Sequence, residues 1–171
     1  MLPFQVITGT SLRRRGKIIH EQEGDEMNNY IMKIKKLHPD AIIPKYATEG
    51  SVAFDLHSLD RYEIFPNDYK LLRTGLSVEI PTGFEMQIRQ RSGLSIKYPN
   101  YIMNSPGTID RDFRGEIMIP IRNNNEDKWY IFQGDRIAQA IISPIIKVQF
   151  IEVNDLNKTK RGGGGFGHTG I

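Results

Sequence analysis

The sequence predicts an all-β domain, a sandwich or barrel of short strands. Apolar and polar residues alternate in several short runs, the period-two signature of strands with one buried face. Turn-forming residues punctuate those runs at a spacing of about ten residues. No segment carries the long 3.6-residue apolar period of an amphipathic helix. A length of 171 residues suits one domain with its own core.

The first periodic segment opens at Met32-Lys33-Ile34-Lys35. Leu76, Val78 and Ile80 alternate with Ser77 and Glu79, which predicts a strand with Ser77 turned outward. Phe84, Met86 and Ile88 alternate with Glu85 and Gln87, and Ile117, Ile119 and Ile121 repeat the pattern. Trp129 to Phe132, Ile137 to Ile142 and Ile145 to Val153 are short apolar runs that read as further strands. Pro66-Asn67, Pro81-Thr82-Gly83, Pro106-Gly107, Asn123-Asn124-Asn125 and Gly134-Asp135 mark the turns between them. Residues 1–30 are polar, lack a sustained apolar period and are expected to be an extension without a fixed fold of their own. Residues 31–155 then form the β domain, and 156–171 a flexible tail that holds six of the chain's 16 glycines in its last ten residues.

Composition excludes whole classes of chemistry. With no cysteine there are no disulfides, thiolate metal sites, iron–sulfur clusters or cysteine nucleophiles. The net charge is only +3. Arg13, Arg14 and Arg15 form one basic cluster, which would suit nucleic acid. An acidic stretch from Glu21 to Glu26 follows and largely cancels it, so a solvated segment is the plainer reading. No run of about 18 apolar residues predicts a membrane helix. Met1 to Gly9 is too short and weakly apolar for a secretory signal. The expected location is the cytoplasm, or the host cytoplasm if the source is viral.

Five segments carry residues suited to chemistry. In Gly50-Ser-Val-Ala-Phe-Asp55-Leu-His57, Asp55 could hold a hard cation directly or through water, or simply end a strand. Arg91-Ser92-Gly93 combines a guanidinium, a hydroxyl and a glycine amide, a set that suits a phosphate. Gly107-Thr108-Ile109-Asp110-Arg-Asp112-Phe113-Arg-Gly115-Glu116 looks like a hairpin. Its Asp110 could be a general base, a metal ligand or a turn residue. Gly134-Asp-Arg-Ile-Ala-Gln139 is a turn entering a strand, with an amide able to reach a phosphate. Arg161-Gly-Gly-Gly-Gly-Phe166-Gly-His168-Thr169-Gly170 could be a spacer. It could also be a lid, with Phe166 as a stacking ring and Arg161 as a phosphate fork.

In this order and combination, across residues 32–171, the five segments resemble the trimeric dUTPase family. The resemblance implies a jelly-roll-like β-clip fold in a homotrimer, each active site being shared between subunits and closed by a glycine-rich C-terminal arm. It implies hydrolysis of dUTP to dUMP and pyrophosphate with Mg²⁺, which keeps dUTP low and supplies dUMP for thymidylate synthesis. Residue by residue, Asp110 matches the base that activates the attacking water, and Asp55 the residue that holds Mg²⁺ through a water. Arg91, Ser92, Gly93 and Gln139 match phosphate contacts. Asn104, Gly107, Thr108, Ile109, Asp110 and Met118 match the uracil pocket, which has no room for the thymine methyl. Phe113 stands where the family usually has a tyrosine on the deoxyribose, a ring that blocks a 2′-hydroxyl. Arg161 matches a γ-phosphate clamp, Phe166 the ring stacked on uracil, and Thr169 a further phosphate contact. Gln90 replaces a usual proline, Ala53-Phe54 a frequent Gly-Tyr, and His168 a serine. No membrane or nucleic-acid partner is expected. Two alternatives share the fold. One is a dCTP deaminase, for which Glu116 would be the nearest catalytic glutamate. The other is a dUTP-dependent regulator that binds a partner protein.

Overall fold

The structure, a computed structural model, describes residues 30–165 and His168. The expectations for residues 1–29, Phe166 and Thr169 lie outside the described residues. All that follows belongs to the unit Ile31–Ile171.

The described residues form eleven strands and one short helix. In chain order they are β1 (Lys33–Lys36), β2 (Phe54–His57), β3 (Tyr62–Ile64), β4 (Tyr69–Arg73), β5 (Leu76–Glu79) and β6 (Phe84–Arg89). Then come α1 (Ser92–Lys97), β7 (Tyr101–Ile102), β8 (Gly107–Ile109), β9 (Met118–Arg122), β10 (Trp129–Ile131) and β11 (Arg136–Pro144). The all-β expectation holds, and the helix is less than two turns long. Strands β2-β11-β6-β8 make one sheet and β4-β9-β7 a second, with the smaller pairs β1-β5 and β10-β3 beside them. Every strand pairing is antiparallel.

Period-two alternation explains which faces meet. Met86 and Ile88 of β6, Ile119 and Ile121 of β9, and Ile137 and Ala138 at the start of β11 are buried. They share one core with Leu56, Ile64, Leu72, Leu76 and Ile131. Each fully buried large aliphatic contributes about 1.5–3 kcal/mol through removal from water. Ser77 departs from its predicted outward place and is buried, because the segment leading into β9 lies across β5. Its hydroxyl donates to the Arg114 carbonyl at 2.8 Å, and the Ile117 amide donates to Leu76 O at 2.8 Å.

That same segment corrects the hairpin expected around Asp110. Strands β8 and β9, which flank it, lie in different sheets, so residues 110–117 form a crossover and not a two-stranded ladder. Ladder partners come from elsewhere in the chain: β8 pairs with β6, and β9 with β4 and β7.

The run Ile145–Val153 is the second correction. It forms no strand, and Ile146 and Phe150 are 92% and 91% exposed. Its apolar composition fits a strand, but no other strand of the described chain lies alongside to complete the hydrogen bonds. The arm therefore carries Ile146, Val148, Phe150, Ile151, Val153 and Leu156 on its surface.

Candidate functional site

The four-stranded sheet gathers one group of the expected residues at one level. Gln139 of β11 lies directly opposite Asp55 of β2 on one side and opposite Arg89 of β6 on the other. Two residues past Arg89, at the end of β6, the chain turns into α1 with Arg91 at its N-cap. Arg91 Nε donates to Asp55 Oδ1 at 2.6 Å, and Arg136 donates to Asp55 Oδ2 at 3.2 Å. The Gln139 amide donates to the Gln90 carbonyl at 2.9 Å and so ties β11 to the residue before Arg91. The Gln90 amide in turn donates to the Asn100 carbonyl.

This end of the sheet is electropositive. One carboxylate faces two guanidiniums, with Arg89 a third cation on the adjacent strand, held by the neutral Gln87 side chain at 2.7 Å. The Asp55 and Arg91 side chains are only 21% and 22% exposed, so water screens the pair weakly. No side chain caps α1, and the first turn spends only the Leu94 and Ser95 amides, both on Arg91 O. The Ser92 and Gly93 amides remain open toward solvent. A Cβ at Gly93 would meet nothing within 4 Å, so the fold itself makes no steric demand for glycine there. His57, two residues from Asp55, has a buried Nδ1 without a partner. Burial pushes its imidazole below the ordinary value while Asp55 pulls the other way.

Asp110 stands elsewhere. It follows β8, the opposite edge of the sheet, where Ile109 pairs with Met86. Counting three strand spacings across and four residues along puts it on the order of 20 Å from Asp55. Asp110 is exposed, and its carbonyl accepts the Phe113 amide at 3.1 Å in a tight turn. The Asn104 side chain lies over Gly107, where a Cβ would come within 3.0 Å of its amide nitrogen. Thus Asn104, Gly107, Thr108, Ile109 and Asp110 form one group along β8. Phe113, 41% exposed, lays its ring over Gly115. Met118 begins β9 in the other sheet, opposite Arg73, and the Met103 amide, one residue before Asn104, donates to Pro120 O of that same strand at 2.9 Å.

Glu116 anchors the crossover. Its carboxylate accepts from Arg73 Nε at 3.1 and 3.2 Å and from the Gly75 amide at 2.8 Å. Those bonds hold the Arg73 guanidinium above its ordinary pKa. Gly75 has φ +69°, and a Cβ there would strike Ala41 at 2.8 Å, so this turn needs glycine. Thr74 Oγ1 adds a bond to Ile117 O at 2.7 Å. With both oxygens engaged by structure, Glu116 is not available as the proton shuttle that a deaminase would need.

In the tail, Arg161 Nε donates to Gly164 O at 2.7 Å, so the expected clamp is turned onto its own segment. His168 packs on Gly164, where a Cβ would come within 2.6 Å of the imidazole.

No group of three or more His, Asp or Glu side chains able to hold a metal occurs among the described residues. Asp55 is a single carboxylate already shared by two arginines. The donor set fits a Mg²⁺ that arrives on substrate phosphates and meets the protein through water. It does not fit an all-protein cage.

Sequence reasoning passed over Arg136 as a partner of Asp55. Arg136 lies three residues before Gln139, in a segment already singled out, but its partner is 81 positions away. A register irregularity between Arg136 and Ala138 aims it at Asp55, which no local pattern reveals.

Comparison with known proteins places this geometry among relatives. A family model described as dUTPase matches residues 39–170. The deoxyuridine 5'-triphosphate nucleotidohydrolase of Helicobacter pylori (strain J99) is 45% identical over 140 residues, 82% of this chain and 97% of that one. The protein of the same name from Nautilia profundicola is 48% identical over 139 residues, 81% of this chain and 98% of its own. Among solved structures, the dUTPase of Staphylococcus bacteriophage 80alpha with dUPNHPP superposes with a TM-score of 0.76 at 24% identity, covering 82% of this chain and 99% of that one. A dUTPase from phage phi11 of S. aureus, described as coordinating a structural Mg(II) ion, gives 0.70 at 22% identity over 75% of this chain and 99% of its own.

Proposed function

The chain belongs to the dUTPase family, and from that premise we infer how its residues divide the work of hydrolysis. The enzyme is a dUTP diphosphatase that converts dUTP and water to dUMP and pyrophosphate. Asp110 takes a proton from the water as its oxygen attacks the α-phosphorus. The bond from that phosphorus to the oxygen bridging to the β-phosphorus breaks, and pyrophosphate departs. An exposed carboxylate on a tight turn can receive that water, provided the phosphates are held elsewhere.

The holding falls to the opposite end of the sheet. Arg91, Arg136, Gln139 and the open Ser92 and Gly93 amides supply fixed donors where negative charge accumulates on the leaving group. A bound Mg²⁺ would neutralise part of that charge, with Asp55 meeting it through water. Asn104 and the β8 backbone read the uracil edge, and the Phe113 ring faces the deoxyribose. Arg161, Phe166 and Thr169 close over the ligand from the tail.

The observation that carries this reading is the separation itself. A distance on the order of 20 Å between Asp110 and Asp55 is far beyond the near-contact that catalysis requires. Both groups serve one substrate only if copies of the chain share each site, as in a homotrimer. The exposed apolar arm 145–156 supports such an assembly, since a surface of that kind calls for a partner. Pyrophosphate release measured on dUTP, dTTP, UTP and dCTP, with and without Mg²⁺, tests the assignment. Turnover is expected with dUTP, dependent on the metal, and close to background with the other three. Equal turnover of dTTP would overturn the pocket assignment.

A further inference from the structure

We propose that Gly115 is a specificity-determining position, because its missing side chain is the seat on which the Phe113 ring rests. A Cβ built on Gly115 would lie 2.5 Å from Phe113 Cζ, 2.9 Å from Cε2 and 3.3 Å from Cε1. These three nearest atoms all belong to one ring, and outside the two chain neighbours no other atom comes closer than 3.3 Å. Nor does the backbone ask for glycine: Gly115 is not among the positive-φ residues, which are Asn67, Gly75, Gly83, Gly134 and Gly162. What excludes a side chain at 115 is the aromatic tip two residues earlier.

The consequence is geometric. Carbon atoms in contact sit about 3.5–4.0 Å apart, so an added methyl displaces the ring tip by about 1 Å. The stem on both sides of Gly115 cannot absorb that displacement. Arg114 O is held by Ser77, and Glu116 is fixed by Arg73 and Gly75. The ring must move instead. Phe113 is 41% exposed, so part of its side chain is open to a ligand while its ring tip lies against Gly115. A ring held at one height can separate a C2′ hydrogen from a C2′ hydroxyl by contact alone. A ring lifted or swung by about 1 Å loses that registration. Gly115 touches no substrate in this account and acts only through Phe113.

The inference rests on the proposed reading that Phe113 faces the deoxyribose, and a double-mutant cycle separates the two claims. The ratio of kcat/KM for dUTP to that for UTP is measured by pyrophosphate release for the wild type, Gly115→Ala, Phe113→Ala and the double variant. Gly115→Ala should lower the ratio by about tenfold. Phe113→Ala should lower it at least as far, and adding Gly115→Ala to it should change the ratio by less than about twofold. An unchanged ratio in Gly115→Ala, or an equal loss in both backgrounds, overturns the seat. An unchanged ratio in Phe113→Ala instead overturns the sugar-facing reading, and the proposal with it. Thermal melts cover failure to fold. If Gly115→Ala unfolds while the double variant folds, the ring clash is the cause, as proposed. If both unfold, some contact other than the ring requires glycine, and the proposal falls.

Discussion

The two ends of the four-stranded sheet are built on opposite principles. At the β2-β11-β6 end, Asp55, Arg91, Arg136 and Gln139 are tied to one another and to the backbone, and the central pair is about four-fifths buried. At the β8 end, Asp110 and Phe113 stand exposed on a crossover whose fixed points lie outside them, at Ser77, Glu116 and Ile117. The first end is prepared to receive charge, since its donors are oriented before any ligand arrives. On the proposed reading the second receives shape, a base edge and a sugar laid along a backbone and a ring. Removing a group from the first should disturb stability and binding together. Removing one from the second should disturb chemistry while the fold persists.

The largest expected effect lies at the exposed end. Asp110→Asn should lower kcat by about 10²–10⁴ with KM within a few-fold of wild type, because the base acts only in the chemical step. Steady-state kinetics check this, and a kcat near wild type would remove Asp110 from its role. Next comes the tail. A chain ending before Arg161 should melt at the wild-type temperature yet turn over roughly 10²-fold more slowly, having lost its closure. Dissociation to monomers on size exclusion would show instead that the tail ties the assembly together.

At the buried end, Asp55→Asn keeps the shape but leaves Arg91 and Arg136 without their counter-charge. It should cost about 2 kcal/mol of stability, between the values for exposed and buried pairs, and should also raise KM. A denaturant melt unchanged from wild type would break the contrast between the two ends. The smallest effect is expected of Glu116→Gln. It keeps an oxygen to accept the Gly75 amide but replaces the other oxygen, which accepts from Arg73 Nε at 3.1 Å, by an NH₂, so only a small drop in melting temperature should follow. Absence of ammonia release from dCTP by the wild-type chain would dispose of any role for Glu116 as a deaminase proton shuttle.

Legibility differed between the ends for the same reason. Strands β5, β6, β9 and β11 were readable because side chains alternate in sequence as they do in space. That periodicity says which face is inward but not which strand is the neighbour. Hence Ser77 looked exposed, the segment around Asp110 looked like a hairpin, and Ile145–Val153 looked like a strand of the same chain. Asp55 and Arg91 were each recognisable from local motifs. Their pairing with each other and with Arg136 joins positions 36 and 81 residues apart and depends on a bulge in β11. The seat at Gly115 was hidden by proximity, since a glycine in a turn already has an ordinary explanation.

The central claim is that Asp110 and Arg91 serve one substrate from different copies of the chain. Mixing Asp110→Asn with Arg91→Ala tests it most directly. The two variants, each nearly inactive alone, are denatured together in equal amounts, refolded and assayed for pyrophosphate release from dUTP. In a three-membered ring about three quarters of the assemblies are mixed, and each of those has one complete site in three. The account therefore predicts recovery of about a quarter of wild-type activity. If mass spectrometry shows mixed assemblies and activity stays at the level of the separate variants, both residues act within one chain, and the shared site is wrong.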